Sequence, residues 1–151
     1  MDCYNKSAEE ILNDLNNKYK YDEKKFIGKE NFYVEILEEL DCRFIYSCLD
    51  VEKKFKTHEP KIKDKNKMNE YNALLSENKK LERQAIDKFI YIRTTLLTLS
   101  INYIQSEHGH PDVDITFKRV CQNVIQDIIN YYIKKEKELI IISEKIDNLI
   151  I

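Results

Sequence analysis

The chain has 151 residues and 25 Lys and Arg against 27 Asp and Glu, a formal charge of -2. That length fits one domain, residues 1–151, around a single core, and the charge supplies no global field for nucleic acid or an anionic membrane. Two Gly and two Pro, against ordinary usage of roughly 7% and 5%, exclude a hairpin-rich β fold and predict an all-α chain.

In chain order, Ser7 and Glu10 have the spacing of a capping box, in which hydroxyl and carboxylate satisfy backbone N–H groups reciprocally. Ile11, Leu12, Leu15 and Tyr19 follow at helical spacing, which predicts a first helix from about Ala8 to Lys20. The polar stretch KYDEKKFIGK, with Gly28, reads as a connector. From Glu30 onward, Tyr33, Ile36, Leu37, Leu40, Phe44, Cys48, Val51 and Phe55 give the longest amphipathic signal in the chain, with Glu35, Glu38, Glu39, Asp41 and Lys53 on the other face. Pro60 and the run KIKDKNK are expected to end it.

Met68, Tyr71, Leu74 and Leu75 predict a short helix, and Leu81 to Ile86 another. The segment from Phe89 to Ile104 carries one charge, Arg93, and is apolar on nearly every side, as expected of a central helix surrounded by others. It is too short and too polar to span a membrane, which needs about 20 apolar residues. SEHGHPDVD is a turn with Asp112 or Asp114 as helix cap, so the helices on either side are expected to form an antiparallel pair. Val113, Phe117, Val120, Cys121, Val124 and Ile128 make the inward stripe of the second, and KEKELIIISEKIDNLII reads as one or two closing helices.

Little in the sequence points to catalysis. It has no Gly-rich phosphate loop, no G-x-S-x-G and no H-E-x-x-H. His108 and His110 sit in an expected exposed turn with no third ligand at metal spacing. Cys3, Cys42, Cys48 and Cys121 form no C-x-x-C pair, and MDCYNKSAEE lacks the apolar core of a signal peptide, so free, mostly buried thiols in a reducing compartment are expected. No cofactor, metal or enzymatic activity is expected. An apolar groove between helices could take an amphipathic ligand helix, with Arg93 at its edge offering a bidentate bond to a carboxylate. Equally, the stripes could be plain core, with Arg93 reaching to solvent.

YIRTTLLTLSINYI resembles the central fifth helix of the poxvirus Bcl-2-like apoptosis inhibitors of the mitochondrial type, in which a basic residue precedes a Thr/Leu/Ser-rich apolar run. DITFKRVCQNVIQDIINYYIKK is similar to that family's sixth helix, and ILEELDCRFIYSCLDVEKKF is comparable to its second in pattern. The resemblance spans roughly Glu30 to Lys135. Of the Asn-Trp-Gly-Arg motif of cellular relatives, only the arginine has a counterpart, Arg93. The resemblance implies a Bcl-2-like helical bundle around a central hydrophobic hairpin, with a groove that sequesters the BH3 helices of Bim, Bak and Bax. Its floor and walls would draw on Ile36, Leu37, Leu40, Phe44, Cys48, Leu74, Leu75, Ile86, Phe89 and Leu97, and Arg93 would pair with the BH3 aspartate. Members acting at mitochondria end in an apolar tail anchor, whereas this sequence ends at Ile151. The expected location is therefore host cytoplasm, or the mitochondrial outer membrane if an anchor follows. A homodimer is compatible with this reading, and nucleic acid is not an expected partner. The alternatives are a family member that binds NF-κB signalling adaptors instead, and a generic helical interaction domain, with the lysine-rich loop from Lys61 to Lys67 as a modest nucleic-acid contact.

Overall fold

The computed structural model describes Glu10 and residues 32–107 and 109–150. The expected first helix, its capping box, the Gly28 connector, Cys3 and His108 lie outside the described residues, Glu10 excepted. Three long helices make up the rest: α1 (Phe32–His58), α2 (Lys65–Gln105) and α3 (Pro111–Asn148), with a 3-10 turn at Glu59–Lys61 after α1. Among the described residues there is no strand, so the all-α expectation holds.

α1 follows the predicted span closely. Its stripe of Tyr33, Ile36, Leu37, Leu40, Phe44, Cys48, Val51 and Phe55 is buried throughout. Pro60 falls in the 3-10 turn that ends it. The basic run that follows is less of a loop than expected. Only residues 62–64 separate the turn from α2, Ile62 is buried, and the Asp64 carboxylate accepts from Asn66 N at 2.7 Å and Lys67 N at 3.4 Å. Those bonds satisfy two of the backbone donors that a helix start leaves unpaired.

α2 corrects the expectation of separate short helices. It runs unbroken for 41 residues, about 60 Å at 1.5 Å per residue. No Gly or Pro occurs between Lys65 and Gln105, so nothing interrupts the backbone ladder, and the polar run SENKK rides within the helix. α3 is likewise one helix of 38 residues, continuous through the stretch expected to form separate closing helices.

Side-chain partners fix the directions. Arg43 bonds Glu136 and Lys54 bonds Asp147, so α1 and α3 run parallel. Tyr71 OH donates to Phe55 O at 3.2 Å, Arg93 lies beside Glu38, and Lys135 donates to Gln84, so α2 runs antiparallel to both. The α2–α3 hairpin is closed by Asp114, whose Oδ1 accepts from Tyr103 OH at 2.6 Å and Gly109 N at 2.9 Å. Gly109, at φ 93°, takes the left-handed conformation that glycine adopts without steric cost. The cap of α3 is His110 rather than either aspartate: its Nδ1 accepts from Asp112 N at 3.3 Å. Beneath this turn Tyr103 stacks on Phe117 at 4.3 Å, and Tyr33 meets the Phe117 ring edge-on.

The α1–α3 seam carries most of the polar ties. Arg43 Nη2 donates to Glu136 at 2.8 Å, Tyr132 OH to Asp41 at 3.0 Å, and Lys54 Nζ to Ser143 at 2.7 Å and Asp147 at 2.8 Å. His58 Nε2 lies 3.0 Å from Asp147. α2 is held to both neighbours chiefly by apolar contact, through Leu74, Leu81, Ala85, Ile92, Leu96 and Tyr103, and burial of each large aliphatic contributes about 1.5–3 kcal/mol.

Candidate interaction surface

The C-terminal half of α2 is apolar on two opposite sides. Ile92, Leu96, Ser100 and Tyr103 face the core. Yet Ile86 is 40% exposed, Ile90 56%, Tyr91 67%, Ile101 54% and Ile104 52%, and Leu97 is half-buried. Ile90, Thr94, Leu97, Ile101 and Ile104 recur at alternating steps of four and three residues, which on a 3.6-residue helix makes one straight stripe. From Ile90 to Ile104 it runs about 21 Å at 1.5 Å per residue. The expectation of a helix surrounded by others is therefore corrected: its apolar outer side is uncovered by any other described element.

Of the threonines, Thr94 lies in this stripe and Thr95 is turned away from it. Thr94 Oγ1 donates to Ile90 O at 2.9 Å and Thr95 Oγ1 to Tyr91 O at 3.0 Å. Each hydroxyl is satisfied one turn back along its own helix, which lowers the cost of covering it with an apolar partner.

Arg93 stands at the α1 edge of the stripe. Its side chain is 48% exposed, and Nε lies 3.9 Å from Glu38 Oε1, itself 54% exposed. That separation exceeds a hydrogen bond, and an exposed pair of this kind contributes about 0–1 kcal/mol. The guanidinium can therefore turn to another carboxylate at little cost.

The other residues expected to line a groove divide by depth. Ile36, Leu37, Leu40, Phe44, Cys48 and Leu74 are buried in the core, where Phe44 meets the Tyr132 ring at 5.4 Å. Leu75, Phe89 and Leu97 pack partly against that core. Ile86 is exposed beside Arg93 and Leu97 on the outer side of α2. The structure thus gathers Arg93, Ile86 and Leu97 at one surface, with Phe89 at its margin, and places six others inside the bundle. A ligand helix could touch those six only if α2 or α3 moved aside. Ile90, Ile101 and Ile104 were not expected to be surface residues. Their signal was present, as an apolar face beyond what one buried stripe needs, but apolarity all round reads equally as complete burial.

Among the described residues, neither free cysteine is an activated nucleophile. Burial pushes the Cys48 thiol up to about 12, helped by the carboxylates of Glu82, Glu52 and Asp41, and burial alone pushes Cys121 up to about 12. Both are protonated, unreactive thiols at neutral pH. Cys42 departs from the expected free thiol and is disulfide-bonded, a pairing that no spacing in the sequence announces. Tyr132 is raised by burial and then by the Asp41 carboxylate it bonds, and Asp41 is itself raised by burial against the lowering bond from Tyr132. Among the described residues no group of three or more His, Cys, Asp or Glu is placed to hold a metal ion, and no helix is long and apolar enough to cross a membrane.

No protein-family model, curated protein or solved structure matches this chain.

Proposed function

We propose that the chain is a non-catalytic association module that binds an amphipathic helix along the outer face of the C-terminal half of α2. The observation that carries this reading is the exposed stripe Ile90, Leu97, Ile101 and Ile104 on a helix whose opposite face already supplies the core. Covering such aliphatic surface is favourable at about 25 cal/mol per Å², and a helix offering anchors at i, i+3, i+4 and i+7 matches its spacing. Arg93 at the edge suits a carboxylate on the partner. Ile90→Lys tests the reading, because it puts a charge at the N-terminal end of the stripe without touching the core. Loss of helix binding or of self-association with unchanged helicity is the expected result. A variant that associates as the parent does would refute it.

A second reading follows the resemblance to the poxvirus Bcl-2-like inhibitors, and the half-exposed Arg93 between Ile86 and Leu97 favours it. In this reading the bundle is Bcl-2-like and the captured helix is a BH3 segment of Bim, Bak or Bax. Its aspartate pairs with Arg93, and the outcome is inhibition of apoptosis in the host cytoplasm or at mitochondria. The buried Ile36, Leu37, Leu40, Phe44, Cys48 and Leu74 then support the surface from beneath. Truncating one partner of a desolvated charge pair costs about 2–5 kcal/mol, so Arg93→Ala should weaken BH3 binding strongly in titration calorimetry. A parent that binds no BH3 peptide would remove this reading, and recovery of signalling adaptors without Bcl-2 relatives would favour the adaptor-binding variant of the family.

A further inference from the structure

Cys42 is disulfide-bonded, while Cys48 and Cys121 are free and buried. The sequence holds four cysteines, so a bond within the chain leaves Cys3 as the partner of Cys42. A disulfide needs Cα atoms about 4.4–6.8 Å apart, and such a bond brings position 3 against the N-terminal half of α1.

Two further observations lie at the same place. Burial lowers the Arg43 guanidinium, and the Glu10 carboxylate opposes that lowering, as an opposite charge close by does. Arg43 is the neighbour of Cys42, and Glu10 is seven residues beyond Cys3. A stretch of that length spans up to about 25 Å when extended, so one segment can reach both residues at once. Burial along α1 follows the same pattern. Cys42 lies about 160° around the helix from Leu40 and Phe44 of the core stripe, and Glu35 stands seven residues before it on the same side. Both are half-buried, whereas Tyr46 and Leu49 further along that side are exposed. A bare helix face leaves its side chains as open as those two, so the half-burial marks a cover over the first part of this face.

We propose that residues 3–10 form a strap over the outer side of α1, tied by a Cys3–Cys42 disulfide at one end and by Glu10 at Arg43 at the other, and that thiol–disulfide exchange closes and opens it. Closing consumes one small-molecule disulfide such as oxidised glutathione. The Cys3 thiolate attacks one of its sulfurs and displaces the first thiolate, which leaves a mixed disulfide; the Cys42 thiolate then attacks the Cys3 sulfur and displaces the second. The two departing thiolates take up the two protons that the protein thiols gave, so the protein loses two electrons and the small disulfide gains them. Cys48 and Cys121, being buried, take no part.

Disulfide mapping of the whole chain tests the bond, with the protein equilibrated against oxidised glutathione and alkylated in denaturant before proteolysis. A peptide pair joining Cys3 to Cys42, with Cys48 and Cys121 alkylated, is expected, and Cys3→Ser should leave Cys42 without a protein partner. An alkylated Cys42 in the parent, or Cys42 joined to Cys48, Cys121 or a second chain, would overturn the proposal. The rate of tryptic cleavage after Lys6 tests the strap. Cleavage should be slow in the oxidised parent and fast both after reduction and in Cys3→Ser, with unchanged helical circular dichroism, and equal rates in all three would overturn the strap. Glu10→Gln should lower the equilibrium constant for closing the bond in a glutathione buffer by about two- to fivefold, as loss of an exposed ion pair does. An unchanged constant would overturn the tie at Arg43.

Discussion

The two halves of α2 share one buried face and differ on the other. From Lys65 to Ala85 the outer line includes Lys65, Asn72, Ser76, Lys79 and Arg83, all exposed and polar, whereas from Ile86 to Gln105 the same line carries Ile90, Leu97, Ile101 and Ile104 beside the polar Asp87 and Thr94. The inner face continues across both through Leu74, Leu81, Ile92, Leu96 and Tyr103. The first half is an ordinary amphipathic helix whose outer side water satisfies. The second buries as much inside and leaves a further apolar side uncovered, and exposed apolar surface gathered into one patch marks an interaction site. The contrast places the candidate surface where the helix does more than the bundle requires.

The largest effect should separate the two faces of the second half. Leu96→Ala, on the buried side, should cost about 2–5 kcal/mol in urea unfolding, while Ile90→Ala, six residues earlier on the outer side, should stay within about 0.5 kcal/mol at concentrations where the chain is monomeric. Equal losses would mean that the outer side is packed and the contrast false.

A second effect lies on the inner face of the polar half. Asn78 is fully buried, and neither its Nδ2 nor its Oδ1 has a hydrogen-bond partner. A buried polar group left in this way costs about 1–3 kcal/mol, so Asn78→Leu should raise the unfolding midpoint by a corresponding amount. A lower midpoint would show that the amide is satisfied and holds the helices in register.

A smaller effect concerns the α1–α3 seam, which binds the bundle independently of either face of α2. Hydrogen bonds from Lys54 and then His58 hold the Asp147 carboxyl below its ordinary range. A carboxylate whose folded pKa is depressed contributes stability that is full above the ordinary value near roughly 4 and is lost as pH falls through the lower folded value. The difference in stability between the parent and Asp147→Asn should therefore be present at neutral pH and close on acidification through that window. A difference that widens instead would contradict the assignment. The smallest effect is expected at Arg93. Arg93→Ala should change stability by less than about 0.5 kcal/mol, so that any larger change in partner binding reports the surface alone.

Much of the fold was legible. The stripe from Tyr33 to Phe55 specified α1 because each apolar position served one buried face. The turn at Gly109 and Pro111 set α2 and α3 antiparallel. The continuity of α2 was less legible, because polar side chains at Ser76 to Lys80 look like a break although the backbone only needs the absence of Gly and Pro. The candidate site was legible in part. Arg93 stands out as the one charge in an apolar run, and Ile86 and Leu97 share its surface. Ile36, Leu37, Leu40 and Phe44 could not be told from groove residues by spacing, since a core stripe and a groove floor use the same side chains at the same period. The exposed Ile90, Ile101 and Ile104 escaped for the complementary reason: hydrophobic pattern records that a side is apolar, not whether anything covers it.

Thiol labelling of single-cysteine variants along the outer line of α2, at low and high protein concentration, tests the central claim most directly. Ile90→Cys and Ile101→Cys should react readily in dilute protein and become protected as concentration rises or an amphipathic helix is added, while Asn72→Cys reacts equally under all conditions. An unreactive thiol at position 90 in dilute protein, or one that is never protected, would contradict the account.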